Sequence, residues 1–202
     1  MNPTEIDDVV KAVMERLFIP IEASGRHVHV TKAQAHALFG HGLTPERPLS
    51  QPGQFLAKER LSIIGPKGEF HNVAVLGPER KEVQVEISLT DGKVLGLTPP
   101  IHLSGETDNS PGAILSGAHG QIQVDQGVIA ARRHIHLSPE EGRRFGVKDQ
   151  QVVRFQTFTH RPVIFEDVVV RIHPEFRSSL HLDYDEANAC GFRKGDFGRI
   201  LP

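Results

Sequence analysis

A six-residue motif that places two histidines two positions apart occurs twice in the chain. The first copy, RHVHVT, contains His27 and His29, and the second, RHIHLS, contains His134 and His136. Side chains at positions i and i+2 of a strand project from the same face, so each copy sets two imidazoles side by side. Neutral imidazole suits zinc, copper, iron and nickel, whereas calcium and magnesium prefer oxygen ligands. The motif therefore predicts two transition-metal sites, with zinc as the first candidate.

A short helix is expected directly after each histidine pair. Thr31 and Ser138 are each followed three positions later by Gln or Glu, which is the pattern of a capping box. Gly40 and Gly146 stand where each helix should end, because glycine readily takes the left-handed conformation of a C-cap. The shared order of strand, histidine pair and helix indicates an internal duplication.

Composition favours many strands over long helices. The 202 residues include 19 glycines and 14 prolines, and the apolar residues fall in short runs. We therefore predict a mostly β protein with two small β-barrel domains related by the duplication and capped by short α-helices. The predicted domains are residues 20–125 and 126–202, preceded by a helix within residues 1–19.

The predicted N-terminal helix is amphipathic. It covers residues 4–18, and its apolar positions recur at helical spacing: Ile6, Val9, Val10, Val13, Met14, Leu17 and Phe18. Such a helix packs on the body of the protein or docks onto a partner or shell.

Charge and cysteine content exclude several classes of protein. A formal net charge of −2 gives no electrostatic case for nucleic acid or an anionic membrane. No apolar run approaches the length of a membrane span, and no signal peptide is recognisable. The single cysteine, Cys190, rules out an internal disulfide framework and suits a reducing cytosol.

Each histidine pair needs further ligands, because catalytic zinc commonly has three from the protein. Glu86 lies on the polar face of an otherwise apolar strand and could complete one site, although a solvent-facing glutamate is the ordinary alternative. His181, flanked by leucines, is the best candidate to complete the other. We expect the remaining histidines without such a setting to lie on the surface: His36, His41, His71, His119, His160 and His173.

Five separated motifs, in the same order, resemble the PduL-type phosphate propanoyltransferases, the zinc-dependent phosphotransacylases of propanediol utilization. The motifs are SGRHVH at 24–29, LSQPGQF at 49–55, LGPER at 76–80 with QVEIS at 84–88, RHIHLS at 133–138 and HLDYDEAN at 181–188. The resemblance extends from about residue 19 to the C-terminus.

The resemblance implies reversible acyl transfer between coenzyme A and inorganic phosphate, with acyl-CoA and acyl phosphate as the two acyl forms. It assigns one zinc ion to His27, His29 and Glu86, and a second to His134, His136 and His181. It assigns the phosphate to Arg80, whose planar guanidinium can donate two parallel hydrogen bonds. It also implies a homodimer and a possible association with a bacterial microcompartment.

Other candidate contacts to coenzyme A are less specific. Arg26 and Arg133 precede the histidine pairs and either bind its phosphates or form structural salt bridges. Ser116 and Gly117 belong to a Gly/Ser loop whose amides could hold an anion, as could loops at 104–106 and 110–112.

One position departs from the family pattern. His102 stands where the family usually has arginine, so an anion contact there would weaken above about pH 6.5. The chain also begins close to its first helix, without a longer targeting extension, which favours a free cytoplasmic enzyme.

Two other functions remain open. A different dinuclear zinc enzyme, such as an acyl-CoA hydrolase, would release thiol without phosphate. A non-catalytic metal-binding module would hold closed four-ligand sites and show no phosphate-dependent turnover.

Overall fold

The computed structural model describes residues 18–201 together with residues 6, 9, 10, 13, 14, 16 and 17. Residues 18–201 are mostly β, as predicted. The strands are β1 Ile19–Ala23, β2 His27–His29, β3 Pro45–Pro48, β4 Phe55–Ile64, β5 Glu69–Gly77, β6 Gln84–Glu86, β7 Ile101–His102, β8 Ala113–Ser116, β9 Gln121–Val124, β10 Val128–Ala131, β11 His134–Leu137, β12 Val152–Phe158, β13 Ile164–Ile172, β14 Ser179–Leu182 and β15 Phe197–Leu201. The helices in this range are α1 Lys32–Phe39, α2 Leu89–Leu95, α3 Pro139–Phe145 and α4 Tyr184–Ala189.

Part of the predicted N-terminal helix, residues 4, 5, 7, 8, 11, 12 and 15, lies outside the described residues. The apolar side chains of that segment that are described as exposed are Ile6, Val9, Val10, Val13 and Leu17. Phe18, the last apolar position of the predicted stripe, packs against Phe158 and Phe197, with ring centroids 5.6 and 5.0 Å apart. Both predicted alternatives for the segment stay predictions. Among the described residues, no helix combines the length and the apolar character needed to cross a membrane.

The second histidine pair lies in a closed barrel. Six strands follow the order β1-β14-β11-β13-β12-β15, and antiparallel pairing of β1 with β15 completes the circle. Apolar side chains fill the barrel, because alternate residues of each strand face inward. Fully buried examples are Ile19, Ile135, Leu137, Phe155 and Leu180.

The first histidine pair lies in a nine-stranded sheet that curls into a half-barrel. Its main order is β7-β10-β6-β2-β5-β4-β8-β9, with β3 paired to β4. One face packs over its own apolar core, which includes Val28, Ile63, Val75 and Leu115. In this sheet β10 pairs with β7, and β8 pairs with β9. Because β10 and β8 do not pair with each other, the sheet does not close into a barrel.

The two sheets share one local arrangement. β2 pairs parallel with β5 and antiparallel with β6, and β11 pairs in the same senses with β13 and β14. In both sheets the histidine strand leads into a helix, an antiparallel pair of strands and a strand that pairs back onto the histidines. This correspondence in order and direction supports the predicted duplication.

Helix caps fix where each histidine strand ends. Thr31 and Ser138 each form a complete capping box at the start of α1 and α3, as predicted. Gly40 and Gly146 end these helices in the left-handed conformation, with φ values of 80° and 67°. Ser88 starts α2 with a third capping box, which the sequence analysis did not anticipate.

The chain divides into two compact units at boundaries that differ from the predicted ones. One unit contains residues 24–132 and 183–185, and the other contains the described residues up to 23 together with 133–182 and 186–201. The strand before each histidine pair accounts for the difference. β1 runs parallel to β14, and β10 runs parallel to β6, so each leading strand belongs to the sheet of the other histidine pair. The apolar pattern of so short a strand does not encode which sheet it joins.

Candidate active site

The first candidate metal group consists of His27, His29 and Glu86. β2 and β6 are antiparallel, and their register places His27 opposite Glu86. One potential ligand atom from each residue lies within 4.8 Å of the other two. All three side chains are buried. Residues separated by about sixty positions thus converge because of strand pairing.

Backbone carbonyls orient both imidazoles of this group. Nδ1 of His27 lies 2.8 Å from the carbonyl oxygen of Gly25, and Nδ1 of His29 lies 3.1 Å from that of Leu76. A carbonyl oxygen only accepts hydrogen bonds, so Nδ1 carries a proton in each ring, and Nε2 of neutral His29 keeps its lone pair. Histidines that ligate metals almost always have such a partner on the other ring nitrogen.

Burial and charge set the protonation of the pair. Burial is the largest influence on the pKa of His27 and lowers it, but the charge and hydrogen bond of Glu86 and the carbonyl of Gly25 together raise the pKa above its usual value. Burial, followed by the charges of His27 and Arg80, holds the pKa of His29 well below its usual value. His29 is therefore neutral near pH 7, which is the form that binds a metal.

The second candidate metal group consists of His134, His136 and His181. β11 and β14 are antiparallel, and their register places His134 opposite His181, as His27 lies opposite Glu86. One potential ligand atom from each histidine lies within 4.8 Å of the other two. The buried Nε2 atom of His181 makes no hydrogen bond.

Both groups have the donor chemistry of a zinc site. Two imidazoles with a carboxylate, and three imidazoles, are ligand sets that zinc uses in catalytic sites. A buried ring nitrogen without a hydrogen bond is costly unless it binds something, and a metal ion would satisfy Nε2 of His181. The residues present therefore fit the ions that the resemblance implies.

A polar network lies beside the first group. Nη1 of Arg80 donates to Oγ of Ser104 at 3.2 Å. The amide nitrogen of Gln84 donates to the same oxygen at 2.8 Å and to the carboxylate of Glu86. The amide oxygen of Gln84 accepts from the backbone nitrogen of Gly105 at 2.7 Å. Gln84 thus links a candidate metal ligand to the segment that contacts the candidate phosphate-binding arginine.

Comparison with known proteins identifies the family of the chain. The sequence model of the family described as phosphate propanoyltransferase matches residues 20–193, which include both metal groups and Arg80. The chain belongs to the phosphate propanoyltransferase family. Proteins named phosphate propanoyltransferase from Listeria monocytogenes and Enterococcus faecalis are each 48% identical to it, over 97% of this chain and 93% and 95% of their own lengths. One from Thermotoga maritima is 43% identical over 98% of this chain and 95% of its own.

This family member is an acyltransferase. The arginines that precede the two histidine pairs, Arg26 and Arg133, both form ion pairs. Arg26 donates to both carboxylate oxygens of Asp91, at 2.9 and 3.1 Å, and lies over the Phe70 ring. Arg133 donates to the carboxylate of Glu186 and to a backbone carbonyl. These ion pairs are the structural salt bridges that the sequence analysis gave as one alternative. Binding of coenzyme A phosphates stays a prediction for both arginines.

Other predicted positions of the chain have local roles. Ser116 ends β8, and the amide of Gly117 donates to the carbonyl of Gly120 within the turn to β9. Nδ1 of His102 lies 2.9 Å from the carbonyl oxygen of Glu106. The six histidines expected on the surface are all exposed.

The sequence analysis missed the part played by Gln84. Its alternation with valines places it on the same strand face as Glu86, but the sequence analysis assigned it no function. Ser104 was predicted only as part of a possible anion-binding loop. Ser104 joins the site only through contacts with Gln84 and Arg80, which lie at least twenty positions away and which a single sequence does not reveal.

Proposed function

We propose that this acyltransferase moves a short acyl group, propanoyl or acetyl, reversibly between coenzyme A and inorganic phosphate at a site with two zinc ions. The observation that carries the proposal is the hydrogen-bonded network that joins Arg80 to Glu86 through Ser104 and Gln84. It sets a fixed positive charge beside a group of metal-binding side chains. An anion and a metal-bound atom could therefore meet there.

The two groups of side chains would each bind one metal ion. His27, His29 and Glu86 would hold one zinc ion, and His134, His136 and His181 the other. Bound zinc would stabilise the coenzyme A thiolate and polarise a substrate oxygen. The carbonyls of Gly25 and Leu76 keep the first imidazoles aimed at the ion.

Arg80 and Ser104 would bind the phosphate. The guanidinium can hold two phosphate oxygens by charge-assisted hydrogen bonds, and the hydroxyl can donate a third. A phosphate oxygen then attacks the thioester carbonyl carbon, the carbon–sulfur bond breaks, and the phosphate proton ends on the coenzyme A sulfur. The reverse reaction retraces these steps from acyl phosphate and coenzyme A.

Direct attack is favoured over a covalent acyl enzyme at the only cysteine. Cys190 is fully buried, and its sulfur lies 3.4 Å from the carbonyl oxygen of Ala187. Burial raises the pKa of its thiol, which lowers the fraction of nucleophilic thiolate.

The proposal predicts that thiol release depends on both phosphate and metal. Purified protein with propanoyl-CoA should release free thiol only when phosphate is present. A chelator should abolish release, and added zinc should restore it. Thiol release that ignores phosphate would favour an acyl-CoA hydrolase, and metal binding without thiol release would favour a non-catalytic module.

We also infer, from the family resemblance, a cytoplasmic homodimer with possible microcompartment association. Sedimentation velocity of the purified protein would measure the oligomeric state, and a monomer at all tested concentrations would contradict it.

A further inference from the structure

A turn directly after β13 carries Phe176 to the second metal group. The backbone nitrogen of Phe176 donates to the carbonyl oxygen of His173 at 3.0 Å, which closes the turn. Pro174 holds the second position of the turn, where its fixed φ is suited to such turns. The backbone nitrogen of His173 donates to the carbonyl oxygen of Leu137 at 3.1 Å, and Leu137 directly follows His136. The turn is therefore attached to the strand that carries the second histidine pair.

The phenyl ring of Phe176 lies against the imidazole of His136. The two ring centres are 4.3 Å apart, and the ring planes are inclined by 41°. Aromatic rings in contact usually have centres about 4.5–7 Å apart, so this contact is a close one. His136 is buried and Phe176 is partly buried. The phenyl ring therefore restricts the positions that the imidazole of His136 can take.

Contacts within the turn order the phenyl ring. The ring centre of His173 lies 5.2 Å from that of Phe176. The backbone nitrogen of Glu175 donates to Nδ1 of His173 at 3.3 Å, which holds this imidazole in the turn. Because these contacts form when the barrel folds, metal binding would not have to meet the entropy cost of ordering Phe176.

A bound metal ion would strengthen the contact between the two rings. The ion draws electron density from the imidazole that binds it, so the ring of His136 would become more positive. The face of a phenyl ring is negative and attracts positive charge. The contact should therefore stabilise the loaded site more than the empty one, and such a difference is what raises affinity for a ligand.

The corresponding turn of the other sheet presents a charge. There the backbone nitrogen of Arg80 donates to the carbonyl oxygen of Val30 at 2.9 Å, and Val30 directly follows His29. This hydrogen bond is the counterpart of the one from His173 to Leu137. The turn after β5 thus brings a guanidinium whose charge lowers the pKa of His29, whereas the turn after β13 brings an aromatic ring.

We propose that Phe176 is a positioning residue of the second metal site, an inference that rests on the proposed occupancy of that site by zinc. Its ring holds the imidazole of His136 in the position from which it binds an ion together with His134 and His181. Phe176 acts through His136 and makes no bond to the ion. Its role is retention of the second ion.

The test is a competition for zinc between the loaded protein and a chromophoric chelator. The ion whose affinity falls in His181→Ala identifies the second site. Phe176→Leu keeps an apolar side chain but lacks the ring face, so it should weaken zinc binding at the second site about 3–10-fold and leave the other ion unchanged. Phe176→Tyr restores the ring and should lose less than about threefold.

Phe158→Leu is the matched control in the same barrel. Phe158 packs against the rings of Phe18 and Phe197, with ring centres 5.6 and 5.8 Å away. The substitution removes contacts between phenyl rings rather than a contact with a candidate ligand. Both ions should therefore stay bound as tightly as in the parent chain.

The competition experiment can overturn the inference in several ways. A second-site loss of less than about threefold in Phe176→Leu would remove Phe176 from this role and leave the two-zinc proposal intact. A loss in Phe176→Tyr or in Phe158→Leu as large as that in Phe176→Leu would do the same, because the ring contact with His136 would not be its cause. Binding of fewer than two zinc ions by the parent chain would overturn both proposals together.

Discussion

Neighbouring residues set the orientation and protonation of the side chains in the first candidate metal group. Burial and the neighbouring charges keep His29 neutral, and carbonyl oxygens fix the protonated nitrogen of both rings. Glu86 is in turn held by the amide of Gln84. These contacts reduce the reorganisation that metal binding would need, because the potential ligand atoms already lie within 4.8 Å of one another.

Replacing Arg80 should weaken phosphate binding without loss of metal. We expect Arg80→Ala to raise the KM for phosphate about 10–100-fold, since each charge-assisted hydrogen bond contributes about 1.5–3 kcal/mol. Arg80→Lys should recover only part of this, because an ammonium lacks the planar fork. Steady-state kinetics and zinc content would be measured together. Arg154→Ala, at an exposed ion pair, is the control, and loss of zinc from Arg80→Ala would mean that Arg80 is structural.

Gln84 should act through Glu86 rather than on the substrate. Gln84→Met keeps the volume but leaves the Glu86 carboxylate without its amide donor, so first-site zinc affinity should fall about 10–100-fold. Gln123→Met, at an exposed position of β9, should change nothing. Chelator competition on both variants gives the comparison. Unchanged zinc affinity in Gln84→Met would contradict this positioning role.

At the scale of elements, features that depend on local sequence could be predicted from the residues themselves, whereas groupings that depend on strand pairing came only from the family resemblance or were missed. The capping boxes at Thr31 and Ser138 were readable because each is complete within four residues. Glu86 and His181 were only candidates, because register alone brings them opposite His27 and His134. The exchange of β1 and β10 was missed for the same reason.

The cap at Ser138 should contribute measurably to stability. Ser138→Ala removes the hydroxyl that accepts from the backbone nitrogen of Glu141, so the free energy of unfolding should fall by about 1 kcal/mol. Ser138→Thr keeps a hydroxyl and should lose less. Urea denaturation at constant zinc concentration would measure both. Equal losses in the two variants would show that the hydroxyl does not stabilise α3.

Over the whole molecule, the duplication explains how one strand arrangement yields two different metal groups. In each repeat the arginine before the histidine pair bonds an acidic residue five positions after the third candidate ligand: Arg26 with Asp91, and Arg133 with Glu186. The scaffold contacts are thus shared, while the third ligand differs between Glu86 and His181. The two candidate metal groups therefore offer different ligand chemistry on a common framework.

The central claim is tested most directly by measuring both products of one reaction. With propanoyl-CoA, phosphate and zinc-loaded protein, we predict that propanoyl phosphate and free coenzyme A form in equal amounts, and that neither forms after zinc is removed. Coenzyme A released without propanoyl phosphate, or equal product formation by the zinc-free protein, would contradict the account.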